Sequence, residues 1–417
     1  MMSEATKTTI PDPYSIALED IDMSRPELYE SQAHWQYFKR LREEAPVHYC
    51  KDSPFGPFWS VTKFDDIVAV DKNHQIYSSE PAIILGDQPA DFTLEQFIAM
   101  DQPKHDGQRK AVTGAVSPRN LSLMEPVIRA RVQDILDDLP IGEEFDWVDK
   151  VSIELTTQML ATLFDFPFER RRKLTYWSDM ATASPEIAGD DSVSMDVRVA
   201  ALTECLEEFT VLWNERINKD PGKQLDFVTL LAHSDATKNM TPMEYLGNLI
   251  LLIVGGNDTT RNSISGGVLM LDQNPAQFDK LRANQNLIPS MISEVIRLQT
   301  PLAHMRRLAK EDTILGGQHI KKGEKVVMWY ISGNRDESKI DRPNDFLIDR
   351  STARNHLSFG FGIHRCMGNR LGEMQLRIVW EEILKRFKKI EVVGQPKRSK
   401  SNFVHGITHM PVILHAL

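Results

Sequence analysis

The chain has 417 residues, 41% of them hydrophobic and 26% charged, with a formal net charge of −10. This is the composition of an ordinary globular protein, and the negative balance excludes nucleic acid as the main partner. Three distant cysteines, Cys50, Cys205 and Cys366, exclude a disulfide framework and fit a reducing, cytoplasmic compartment. The opening MMSEATKTTIPDPY has no apolar signal-peptide core. The most apolar stretch, YLGNLILLIVGG, is too short to span a bilayer, so no membrane anchor is expected. Length alone allows two or three domains.

Residues 1–25 are polar and proline-rich, which predicts a flexible arm. PELYESQAHWQYFKRLREE has helical periodicity, and FWSVTKFDDIVAV reads as a strand turning into a helix. Between Pro81 and Pro103 periodicity is weak, which predicts a mobile loop. In PKHDGQRK, His105 and Arg109 lie one helical turn apart. From about 118 to 235 helix dominates, with breaks at DFPF and ASPEIAGDDS. A long helix then starts with Thr241 as N-cap, Pro242 in the first turn and Glu244 completing a capping box. It runs to Asn274, where Pro275 ends it. IPSMISEVIRL is a second helix, with Glu294 and Arg297 at i and i+3. TILGGQHIKKGEKVVMWY predicts short strands around glycine turns. MGNRLGEMQLRIVWEEILKRFKK is an amphipathic helix, and the tail from 390 to 417 alternates like strands. The fold class expected is mainly helical with a small strand-rich part late in the chain.

Cys366 sits in LSFGFGIHRCMGNRLG, at the start of that amphipathic helix. Helix-start N–H groups, Arg365 and His364 favour a thiolate. Gly360, Gly362 and Gly368 permit close backbone approach. Taken alone, the loop admits a buried small hydrophobe, a nucleophile with His364 as base, or a caged thiolate. Zinc lacks a second cysteine or histidine pair at ligand spacing. A phosphate loop lacks its lysine.

The run Phe359-Gly360-Phe361-Gly362-Ile363-His364-Arg365-Cys366-Met367-Gly368 resembles the haem-thiolate loop of the cytochrome P-450 superfamily at every motif position. The resemblance implies that Cys366 is the axial ligand of haem b iron, pushing electron density toward O–O cleavage. It implies a buried structural triad of Glu294, Arg297 and Arg350. It also implies that Asp258 and Thr259 of the mid-helix GGNDTT relay protons to bound dioxygen, with Gly255 leaving room for substrate. His105, Arg109, Arg307 and His356 match propionate contacts; Arg306 competes with Arg307, and the Arg-x-Ala spacing favours the latter. Phe359 and Arg365 complete the expected haem-binding set. The implied fold is one haem-binding domain over 26–417, in place of two or three domains, with the long helix through its centre.

Within the superfamily the chain resembles soluble bacterial members, which take electrons from NAD(P)H through a reductase and a 2Fe-2S ferredoxin. Arg365, Arg370, Arg377, KRFKK and Lys110 form a candidate basic dock for that partner. LLIVGGNDTTRNS and FIAMDQPKHD are similar to the bacterial terminal alkane hydroxylases, which oxidise the end methyl of medium-chain alkanes, alcohols and fatty acids. The sterol side-chain oxidases share the GN-acid-TTRN signature, usually with Glu in place of Asp258. A haem sensor without turnover, a peroxygenase and a cysteine hydrolase are the readings from other classes. Candidate walls around the small apolar substrate are Leu251, Gly255, Leu302, Ala303 and Val404, with Ile83, Ile84, Leu85, Phe92 and Phe97 from the loop before the propionate helix.

Overall fold

The computed structural model describes residues 10–183, 193–222 and 224–417. Its axis is the helix Pro242–Gln273 of 32 residues, about 48 Å long at 1.5 Å per residue. The Thr241 hydroxyl accepts from the Glu244 N–H while the Glu244 carboxylate accepts from the Thr241 N–H. The expected capping box is therefore present, and Pro275 opens the next helix, Pro275–Ala283. The central helix is apolar over much of its circumference because neighbours surround it: Glu154–Phe164, Arg172–Thr182, Ile288–Gln299 and Asn369–Arg386. Together these helices enclose the main core.

Five strands form the larger sheet, in the order Val47–Cys50, Phe58–Val61, Lys325–Met328, Met305–Ala309 and Tyr77–Ser78. Phe58–Val61 turns directly into the helix Phe64–Lys72. The tail strands pair as expected, with Pro411–Ala416 between Glu144–Asp146 and Phe387–Val392.

Residues 10–25 are irregular but not loose. Ile21 and Met23 are buried beside Trp329, and the Tyr37 hydroxyl donates to the Pro11 carbonyl at 2.7 Å. Its only regular pieces are the single 3-10 turns Pro13–Ser15 and Leu18–Asp20, and the scattered apolar side chains fasten the segment to the body. The rest of the predicted arm, residues 1–9, lies outside the described residues, as do residues 184–192 of the predicted break ASPEIAGDDS. The stretch from Pro81 to Pro103 contains only a 3-10 turn at Phe97–Ala99. Ile83, Leu85, Leu94 and Phe97 are nevertheless buried within it, so weak periodicity marks irregular backbone and not a solvated loop. No helix of the described residues is long and apolar enough to cross a membrane.

Candidate active site

Glu294 and Arg297 project from one face of the helix Ile288–Gln299, as the i, i+3 spacing dictates. Their fork is bidentate, with Nε to Oε2 at 2.8 Å and Nη2 to Oε1 at 2.7 Å. Arg350 Nε adds a third bond to Glu294 Oε1 at 3.1 Å. The triad is buried, and Arg297 also donates to the carbonyls of Asn334 and Pro343. Charges so placed are tolerable only when paired and hydrogen-bonded throughout. Asn334 carries the connection onward. Its amide donates to Thr300 Oγ1 at 2.8 Å and Ser358 Oγ at 2.9 Å, and its Oδ1 accepts from the Leu357 N–H. Ser358 and Leu357 open the cysteine loop, so helix, triad and loop form one polar assembly. Asn334 has no motif of its own and escaped the sequence reading.

The loop is held from its other side by Asp71, a buried carboxylate on the helix Phe64–Lys72. It accepts from Arg307 Nη2 at 2.8 Å, the Tyr330 hydroxyl at 2.8 Å and the Phe361 N–H at 2.7 Å. Gly362 has φ +66°, and a Cβ there would lie 2.6 Å from the Asp71 carbonyl oxygen. Gly360, at φ +64°, abuts Tyr330 and Asp71. The close backbone approach expected of these two glycines is present, and what the loop approaches at both is protein: Asp71 and Tyr330.

Cys366 leads into the helix Asn369–Arg386, and its own N–H donates to the Phe359 carbonyl at 2.8 Å. Burial pushes its thiol up, while the Gly368 N–H, Arg109, Arg365 and the Asn369 N–H pull it down. The side chain is enclosed by protein yet keeps accessible surface, so it borders an internal space. Arg109 reaches the same loop, donating through Nη2 to the Arg365 carbonyl.

The expected propionate contacts divide. His105 lies 4.3 Å from His364, ring centroid to centroid, and Arg307 and Arg109 stand within electrostatic reach of His364. His356 is not in this group. It packs on Phe359 at 5.2 Å and, with Phe359 and Arg365, lines a surface groove of about 350 Å³. The structure thus puts His364 where the sequence reading placed His356. Nε2 of His105 and both ring nitrogens of His364 are buried without a partner. Desolvation lowers the pKa of both rings. Unpartnered imidazoles beside two arginines fit a group carrying two carboxylates, and a thiol facing the same interior fits its metal. Among the described residues no group of three or more His, Cys, Asp or Glu could hold a metal ion.

On the central helix the adjacent glycines differ in function. A Cβ on Gly256 would lie 2.7 Å from Leu160, making it a helix-packing notch, whereas one on Gly255 would meet nothing within 4 Å. Gly255 therefore faces open space, and the neighbouring Thr259 is partly accessible, its hydroxyl donating to the Gly255 carbonyl at 2.7 Å. Asp258 is fully buried and pairs with Arg261 at 2.6 Å, with Ser178 donating at 3.2 Å. Burial raises its pKa to about 6 against the pull of Arg261, with Asp179 also raising it. Arg261 also bonds Asp179 at 2.8 Å, whose side chain is 45% exposed, so an ion-pair chain runs from Asp258 to solvent.

The candidate walls also divide. Ile84, Leu302 and Val404 share one apolar cluster with Met305 and Phe403, and Leu302 bridges Val404. Leu251 and Phe92 remain partly accessible. Ala303 and Leu85 pack into the core beside Trp329, and Phe97 belongs to the main core, so these three lie in clusters separate from that of Val404. Ile83 is buried as well. Met305, which carries no motif in the sequence, packs against the same cluster. The basic patch shrinks too: Arg377 is taken by Glu125 and Glu381, Arg386 by Asp137 and Glu382, and Lys385 by Glu382. Lys110, Arg365 and Arg370 stay exposed.

A mostly helical body around one long helix, a cysteine loop braced by a Glu-Arg-Arg triad, and a buried acid beside a partly accessible alcohol on that helix are the features of a haem-thiolate protein. The cytochrome P450 family model matches residues 141–412, and the chain belongs to this family of haem-iron monooxygenases. It is similar to linalool 8-monooxygenase of Pseudomonas putida, 35% identical over 412 residues, covering 95% of this chain and 99% of that protein. Two solved structures are similar throughout. CYP153D17 from Sphingomonas sp. PAMC 26605 has TM-score 0.89 and 46% identity, covering 95% of this chain and 100% of that one. Cytochrome P450-153 from Novosphingobium aromaticivorans has TM-score 0.87 and 45% identity, covering 94% and 99% respectively.

Proposed function

We propose that this monooxygenase inserts one oxygen atom of O2 into the terminal C–H bond of a medium-chain alkane, primary alcohol or fatty acid, in the cytoplasm, with electrons from NAD(P)H through a reductase and a 2Fe-2S ferredoxin. Cys366 would hold the iron of haem b, with His105, Arg109, Arg307 and His364 at its carboxylates and Phe359 and Arg365 beside the thiolate. The haem supplies dioxygen activation and the oxidising power for C–H insertion.

The chain's own residues handle protons and position. Thr259 Oγ, now bonded to its own helix, can turn its hydroxyl toward the interior. Asp258, with a pKa near 6, can both release and regain a proton near neutral pH. The chain Asp258–Arg261–Asp179 links it to solvent.

The observation that carries the terminal assignment is the cluster of Ile84, Leu302, Met305 and Val404, drawn from three separate segments without a charged member. A methyl C–H is a harder target than an internal methylene, so end attack needs walls that admit only the chain end. The rest of an alkyl chain is then held by burial, at about 0.8 kcal/mol per CH₂. The resemblance to terminal alkane hydroxylases supports this reading, as does a relative named for linalool, an acyclic apolar alcohol. The test is product analysis over a series of alkanes and fatty acids with a working ferredoxin system. The expected main product from an alkane is the 1-alkanol, and Leu302→Ala should raise the share of internal alcohols. Mostly internal alcohols from the wild type would overturn the assignment.

A further inference from the structure

Three segments meet at the apolar cluster: Ile83–Asp87, Leu302–Arg306 and Ser401–His405. Main-chain bonds join the middle segment to both flanks, Arg306 N–H to the Ile83 carbonyl at 2.7 Å and Ala303 N–H to the Phe403 carbonyl at 2.8 Å. The flanking segments carry Ile84 and Val404. They are loops, and their register cannot come from a regular ladder.

We propose that His304 is a specificity-determining residue that clamps both flanking loops and thereby fixes the aperture at which the substrate chain ends. Its Nε2 is 3.2 Å from the Leu85 N–H, and its Nδ1 is 3.0 Å from the Asn402 carbonyl oxygen. An N–H must donate and a carbonyl must accept, so only the neutral tautomer with hydrogen on Nδ1 satisfies both. The ring has no exposed surface and is wedged edge-on between Trp329 at 4.8 Å and Phe403 at 5.3 Å. Burial holds its pKa down at about 4 with Arg306 as the nearby charge, so the required neutral form prevails near neutral pH. Arg306 adds a second fastener, donating to the Leu85 carbonyl at 3.1 Å and to Asp87 at 2.7 Å. His304 reaches no substrate. It acts by fixing where Ile84 and Val404 stand.

This inference rests on the terminal reading, and the experiment separates the two. His304→Phe keeps a ring between Trp329 and Phe403 but loses both bonds. His304→Gln offers one donor and one acceptor and serves as the conservative rescue. In holoenzyme turning over a medium-chain alkane, His304→Phe should raise the ratio of internal to terminal alcohol at least threefold, and His304→Gln should restore much of the wild-type ratio. Amide exchange by mass spectrometry, which needs no substrate, should show 83–87 and 401–405 opening together in the Phe variant while the central helix stays protected. A His304→Phe enzyme that keeps the wild-type product ratio and the wild-type exchange in both segments overturns the clamp. A variant too unstable to load haem would be replaced by His304→Asn, read by the same two measurements. If the wild type itself makes mainly internal alcohols, the terminal reading falls, and coupled exchange of the two loops still decides whether His304 joins them.

Discussion

Asn334→Ala is the sharpest test of how the cysteine loop is held. Asn334 is completely buried, and its side chain makes three bonds to three partners: Thr300, Ser358 and Leu357. Truncation strands the Leu357 N–H in the interior, which costs about 1–3 kcal/mol. The hydroxyls of Thr300 and Ser358 lose less, because each still donates to a carbonyl, Arg297 and Ile296 respectively. Adding a small cavity brings the expected loss to about 2–4 kcal/mol. Because Leu357 lies two residues from Phe359, whose carbonyl accepts from the Cys366 N–H, the damage should reach the thiolate. Denaturant unfolding and the rate of haem transfer to an apoglobin acceptor are the assays. The variant should unfold earlier and lose haem several-fold faster. A loss below about 1 kcal/mol with unchanged haem transfer would refute the bracing role of Asn334.

Asp258 titrates near 3.8 when unfolded and near 6 when folded, so between these values the folded chain keeps a proton that the unfolded chain has released. Stability should therefore fall by about 3 kcal/mol as pH rises from about 4 to 6, and Asp258→Asn should flatten that slope; equal slopes in both proteins would contradict it. Thr259→Ala should retain haem and substrate binding while diverting reducing equivalents to hydrogen peroxide, and unchanged coupling of NADH consumption to product would speak against the relay. Exposed Arg370 and committed Arg377 should separate: Arg370→Glu should slow reduction by an acidic ferredoxin in a salt-dependent way, whereas Arg377→Glu should lower stability through Glu125 and Glu381. Equal effects on reduction would remove the docking surface from consideration.

Features with a local cause were legible in the sequence. The capping box at Thr241 and Glu244, the proline that ends the central helix, and the Glu294–Arg297 pair all depend on residues within one helical turn. The cysteine loop was legible because its spacing is a compact pattern, and that pattern brought the family with it. The burial of Ala303, Leu85 and Phe97 was not. An apolar residue near a channel and one in the core have the same composition, and only packing distinguishes them.

The two histidines of the loop show the same divide. Chain order permits either His356 or His364 beside His105. With Gly360 and Gly362 at positive φ the loop winds against Asp71 and gives the two rings different surroundings, and no one-dimensional spacing encodes that. Asp71 is 290 residues from the Phe361 N–H it accepts, and His304 joins loops 219 and 98 residues away. The sequence by itself determined the class of protein, the iron-binding cysteine proposed for it and the helix that crosses its centre, because short-range chemistry carries them. The tertiary structure alone decided which histidine stands beside His105, which apolar residues cluster at Val404 and which side chain ties the neighbouring loops together, because each follows from long-range contacts among buried groups that must find partners once water is excluded.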